Sequence, residues 1–185
     1  MNNQLTHNEY QHEKNKFPIK IILDNVDDGI NVGSIFRLAD GFGVSEICLC
    51  GSTPSVENKT FKKTSRSTQN YVEHSQYEKT IDCINKLKEE EYKIIAIEIT
   101  SNSSSLQNYN FVNEKVAIVL GNEKHGVSEE ILNVVDDTLH VDMYGNNSSF
   151  NVATVTGIVL YEIVRQKIGG LNGKSRNNKW KAWRR

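Results

Sequence analysis

Apolar residues along the chain fall into short runs separated by polar, glycine-bearing turns. IKIILD (19–24) is rich in β-branched residues and bounded by turn formers, which predicts a buried strand. EICLCG (46–51), KIIAIEI (93–99), KVAIVLG (115–121) and TLHVDM (138–143) repeat the pattern. Between these runs the spacing becomes helical. From Asn31 onward, Val32, Ile35, Phe36, Leu38, Ala39 and Phe42 form one helix, which Gly41 and Gly43 end. Ile81, Ile84 and Leu87 predict a second over 78–91. SEEILNVV reads as a third, capped by Ser128 with Glu129 and Glu130 in its first turn. The last runs from Asn151 to Lys167, with Val155, Ile158, Val159, Tyr161 and Val164 along it. Ser52 to Asn70 and NSSSLQNYNF read as loops.

Strands alternating with helices imply an α/β fold with a parallel sheet flanked by helices. At 185 residues the chain fits one compact domain. The reading is a polar N-terminal extension over 1–17, a domain over 18–168 and a basic C-terminal tail over 169–185. Ligands of such sheets bind beyond the carboxyl ends of the strands. Three loops qualify, after Asp24, after Gly121 and after Val141.

In the first loop, Gly29 and Gly33 allow close backbone approach, and Asn31 is either a helix cap or a site residue. Arg37 is a permanent cation inside an apolar helix; its bland reading is an ion pair with Asp40 or Glu46. The loop has neither the Gly-Lys-Ser/Thr of a phosphate loop nor a G-x-G-x-x-G fingerprint. Glu123 in the second loop could orient an arginine or a hydroxyl, or be a solvated charge; His125 beside it is a lone loop histidine. In the third loop one cap explains only one of Ser148, Ser149 and Asn151, so the helix start there also suits an anion or the polar edge of an adenine.

Composition adds location and partners. Hydrophobic content of 37% with 24% charged residues is ordinary for a soluble protein, and no apolar run approaches a membrane span. The first residues lack the apolar core of a signal peptide. Three cysteines without an export signal predict reduced thiols in the cytoplasm, with Cys48 and Cys50 as small buried side chains rather than a metal pair. Net charge is −1, but no acidic residue follows Glu162, while Trp180 and Trp183 stand among the final cations. A basic, aromatic tail suits a polyanion that also offers flat bases to stack on; otherwise it is a solubiliser. KTFKKTSRST (59–68) is a second acid-free stretch, read as an exposed loop.

The three segments, in this order, resemble the SpoU or TrmH-like RNA ribose methyltransferases of the SPOUT superfamily. Asn31, Gly33 and Arg37 look like the family's first motif, and Gly121, Asn122, Glu123 and Gly126 its second. Val141 to Ala153 look like the third, and the similarity spans Ile19 to Gln166. Asp142 stands where a proline is usual, Phe150 for leucine, Ala153 for serine and Leu38 for threonine.

The resemblance implies a deep C-terminal trefoil knot, a homodimer and a cleft for bent S-adenosylmethionine; the sequence offers no convincing metal-ligand cluster, so no metal is expected. It implies cofactor contacts at Ile97, Glu98, Gly121, Val141, Met143 and Phe150. Arg37 would hold an RNA phosphate and the forming ribose oxyanion, or act as base, with Asn31, Glu123, Ser149 and Asn151 orienting the reactants. Candidate RNA contacts are Lys62, Lys63 and Arg66, and in the tail Lys174, Arg176, Lys179, Lys181 and Arg184. The short extensions resemble the family's tRNA enzymes more than its ribosomal ones. The alternatives are an rRNA ribose methyltransferase, a base methyltransferase, and an RNA-binding dimer without catalysis.

Overall fold

The computed structural model of the chain describes residues 3–5, 9, 14–111 and 114–171. Its strands are β1 (Phe17–Asp24), β2 (Val44–Cys50), β3 (Glu73–Tyr77), β4 (Lys93–Ile97), β5 (Ser104–Ser105), β6 (Val116–Gly121) and β7 (Asp137–His140). The helices are α1 (Gly29–Phe42), α2 (Lys59–Ser65), α3 (Thr80–Glu89), α4 (Glu129–Leu132) and α5 (Val152–Leu171). The strands form one seven-stranded sheet in the order β3-β2-β1-β6-β4-β7-β5, and every pairing is parallel.

Alternation along the strands divides the core between the two faces of the sheet. Ile19, Ile21 and Leu23 of β1 and Val116, Ile118 and Leu120 of β6 join α1, α5 and Phe61 on one face. Ile22, Ala117 and Val119 join Cys48, Cys50 and Cys83 with α3 and Ile131 on the other. The three thiols are free and buried, so β2's cysteines serve as small core residues. Contact with Cys83, and burial after it, push the Cys48 thiol above the usual range.

Several elements differ from the sequence reading. α1 begins at Gly29, capped by Asp28, whose side chain accepts from Ile30 N–H at 2.8 Å. Gly41 stays helical, and Gly43, at φ 66°, alone ends the helix. The stretch read as a loop over 52–70 contains α2, because Asn58 caps Thr60 and Phe61 and the Phe61 ring packs edge-on against Phe36. β3 escapes the apolar pattern because it is a polar edge strand with no fully buried residue. α4 is a single turn, and Ser128 does not cap it with its side chain: the hydroxyl goes to Asp24 Oδ2 at 2.9 Å. α5 runs on past Lys167 to Leu171. Most of the polar lead-in and all tail residues from 172, including Lys174, Arg176, Lys179, Lys181 and Arg184, lie outside the described residues.

α1 and α2 cross where α1 has no side chains. A Cβ on Gly29 would lie 2.2 Å from Thr60 Oγ1, and one on Gly33 would lie 2.2 Å from Thr64 Oγ1 and 2.6 Å from the Phe61 carbonyl oxygen. Gly33→Ala must push backbone away from backbone, so it is expected to destabilise the fold by about 1–3 kcal/mol. Urea melts read this as a lower midpoint; an unchanged midpoint would mean that the helices part without cost.

Candidate active site

Sheet register brings the three loops together. Asp24 at the end of β1 pairs with Gly121 at the end of β6. Asp24 is 2% exposed, and its carboxylate accepts from Thr80 Oγ1 at 2.6 Å, Asn25 Nδ2 at 2.9 Å, and the Ser128 N–H and hydroxyl at 3.0 and 2.9 Å. One buried anion thus ties the starts of α3 and α4 to β1. Beside it, Asn122 Nδ2 donates to the Asn25 carbonyl and to Asp27 Oδ2, both at 2.8 Å, while its Oδ1 accepts from the Lys124 and His125 N–H groups. Hydrogen bonds from Ser52 and Asn122 hold the Asp27 carboxyl below the usual aspartate range.

A relay of side chains crosses from loop to loop. Asn31 lies in the first turn of α1 but does not cap it. Its Nδ2 donates to Glu123 Oε1 at 2.8 Å, and its Oδ1 accepts from Asn151 Nδ2 at 3.0 Å. The second Glu123 oxygen accepts from the Asp27 N–H at 3.3 Å. Asn151 Oδ1 in turn caps α5, accepting from Ala153 and Thr154 N–H at 3.0 and 3.2 Å. Asn31 therefore joins Glu123 and Asn151, so that one residue from each of the three loops is linked through it. Glu123 is not a free solvated charge.

Next to the relay lies a cleft of about 650 Å³ at the carboxyl ends of β4, β6 and β7. Ile97, Glu98, Gly121, Val141, Met143 and Phe150 all line it, as do Glu123, Ser149, Asn151, Lys124 and His125. A Cβ on Gly121 would lie 2.1 Å from Gly126 C and Val127 N, so this wall is bare backbone. Glu98 accepts from the Ile99 and Val127 N–H groups at 2.9 and 3.0 Å. Asp142 faces away from the cleft: its Oδ2 accepts from Ser105 at 2.6 Å and Gln107 at 3.0 Å, and Oδ1 is 3.5 Å from His140 Nε2.

Arg37 stands apart. It is exposed on α1, is not among the residues lining the cleft, and has no ion pair or hydrogen bond among the described residues. The expected bland partner Glu46 instead meets Lys20 at 2.8 Å and Ser75 at 2.6 Å. Lys62, Lys63 and Arg66 sit on α2 and its C-cap rather than on a loop; all are exposed, and Lys62 pairs with Glu57 at 2.6 Å. Among the described residues no group of three or more His, Cys, Asp or Glu is placed to hold a metal ion, and no helix is long and apolar enough to cross a membrane.

Sequence reasoning missed Asp24, Asp27 and Asn122 as organisers of the site. The signal available was Asp24 itself, a carboxylate ending a run of buried β-branched residues, where an unpaired charge is costly. Asn31→Ala removes a donor from Glu123 and an acceptor from Asn151 together. It is expected to lower stability by about 1–3 kcal/mol, read in a denaturant melt, and to loosen the first turn of α5, read by amide exchange at Ala153 and Thr154.

The model of the SpoU rRNA Methylase family matches residues 18–161. The tRNA (guanosine(18)-2'-O)-methyltransferase of Aquifex aeolicus is 31% identical over 158 residues, covering 84% of this chain and 72% of that protein. An uncharacterized tRNA/rRNA methyltransferase of Borreliella burgdorferi is 30% identical over 146 residues, covering 79% of this chain and 63% of the relative, so the chain spans under two thirds of that protein. In fold, the chain is similar to the SpoU methyltransferase AviRb from Streptomyces viridochromogenes in complex with the cofactor AdoMet. The TM-score is 0.77 at 20% identity, over 89% of this chain and 66% of that one. The matched span takes in all three loops and the cleft between them, and the chain belongs to the SpoU rRNA Methylase family.

Proposed function

We propose that this chain transfers a methyl group from S-adenosylmethionine to a ribose 2′-hydroxyl of RNA, with tRNA as the substrate class. The observation that carries the reading is the Asn31–Glu123–Asn151 relay beside the cleft. The chemistry of the cleft walls fits the cofactor. Bare backbone at Gly121 and Gly126 suits the edge of an adenine, and Ile97, Val141, Met143 and Phe150 supply apolar surface. Glu123 suits a cationic ligand. When bound, S-adenosylmethionine supplies a methyl group made electrophilic by its sulfonium. The name of the A. aeolicus relative, a tRNA (guanosine(18)-2'-O)-methyltransferase, favours tRNA.

A ribose hydroxyl is a weak nucleophile that sheds its proton during attack. Arg37 serves as the clamp: its fork holds an RNA phosphate and stabilises negative charge growing on the ribose oxygen, while the phosphate takes the proton. Asn31, Glu123, Ser149 and Asn151 orient the acceptor. Because Arg37 lies outside the cleft of its own protomer, the reading includes a homodimer that brings the two together. Exposed Ile30 and Tyr161 and half-buried Leu38 and Ile158 supply apolar surface for it on α1 and α5. The trefoil knot belongs to the same proposal. Gln166 hydrogen-bonded to Tyr109 and Phe111, with Lys167 bonded to Phe111 and Glu114, supports α5 being drawn against the segment before β6. The extension over 1–17, the domain over 18–168 and the RNA-binding tail over 169–185 complete the reading, and three free thiols suit the cytoplasm.

Mass spectrometry of nuclease digests from cells with and without the protein tests the reaction. Loss of a 2′-O-methyl nucleotide from tRNA supports the proposal. Loss of a ribosomal ribose mark moves the substrate assignment, and a lost base methylation or unchanged RNA methylation overturns the reading. Arg37→Ala is expected to cut methyl transfer by about 100-fold or more, with S-adenosylhomocysteine affinity by calorimetry within about twofold of the parent. Alanine at both Lys63 and Arg66 is expected to weaken tRNA binding and reduce the slope of log affinity against log salt by about two.

A further inference from the structure

We infer that Glu98 is a positioning residue of the cleft, acting through the glycine turn over 121–127 rather than by contact with the reacting groups. The inference rests on the cofactor reading above. Glu98 follows the last residue of β4, where its N–H donates to the Leu139 carbonyl at 2.9 Å, fixing the backbone beside β7. Its Oε1 accepts from the Ile99 N–H at 2.9 Å, and Oε2 reaches across the cleft floor to the Val127 N–H at 3.0 Å.

The turn is shaped to receive that oxygen. Gly126 has φ 69°, and a Cβ there would lie 2.4 Å from Glu98 Oε2. The missing side chain is thus the space the carboxylate occupies. Asn122 and Gly126 close the turn with paired backbone bonds of 3.0 and 2.8 Å, and Glu123 stands at its apex in the relay. Glu98 therefore sets the backbone wall at Gly121 and Gly126, while Glu123 is held separately by Asn31 and the Asp27 N–H. Only a carboxylate of this length can accept from both N–H groups. Glutamine has one carbonyl oxygen, and its NH₂ would meet a donor. Aspartate is one methylene short.

Calorimetry with S-adenosylhomocysteine on the full chain provides the test. Glu98→Gln is expected to raise the Kd by about tenfold, with a raised KM for S-adenosylmethionine and kcat changed by less than about threefold. Glu98→Ala and Gly126→Ala break the same contact, so their combined effect on Kd should not exceed the larger single effect by more than about twofold. In the unaltered chain the Val127 and Ile99 amide hydrogens should be protected from exchange, a readout that stands even where a variant fails to fold. Binding by Glu98→Gln as tight as by the parent, additive effects in the double variant, or fast exchange at Val127 overturns the inference. Failure of the unaltered chain to bind either ligand sinks the cofactor reading instead.

Discussion

The site depends on an amide that donates and accepts at once. Asn31 is 9% exposed, and its donor is satisfied by Glu123 and its acceptor by Asn151. A carboxylate there could not donate to Glu123, and a cationic side chain could not accept from Asn151. The three loops come from segments far apart in the chain, so their mutual position rests on contacts of this kind. Because Asn151 also caps α5, the relay connects the first turn of α1 to the first turn of α5.

Beneath that relay the sheet supplies the frame. Parallel register aligns Asp24 with Gly121 and Cys50, so the loops leave the sheet at one level. Asp24 is a buried carboxylate with four donors around it, and so each helix start it meets is anchored by a satisfied charge. The other buried charge of β1 is treated the same way. Burial works against the charge on Lys20, yet hydrogen bonds to Glu46 and Glu90 hold it protonated above the usual lysine range.

Departures from the family pattern have local explanations. The carboxylate of Asp142, in the place of a proline, bonds Ser105 and Gln107 and faces His140, which leaves the cleft wall free of it. Phe150 lines the cleft and Ala153 gives its N–H to the Asn151 cap, a bond that needs no side chain. Leu38 sits where α1 meets α5, with its methyl carbons beside Gly157.

The sequence by itself determined the α/β class, most of the strands, the long helices and the three loops. Each of these is written in local periodicity: alternating or continuous apolar runs, helical spacing, and glycines where the chain turns. It also carried the motif residues that assign the chain to its family. Only the tertiary structure decided what those residues touch. That Ser128 serves Asp24 instead of capping α4, that Asn31 joins two other loops instead of capping α1, and that α2 forms at all around Phe61 follow from contacts between distant segments. β3 was invisible because an edge strand needs a neighbour's backbone more than apolar side chains. A hydrogen bond across about a hundred residues leaves no period in the chain, and for that reason the organising contacts of Asp24, Asp27 and Asn122 emerged only once the sheet register was known.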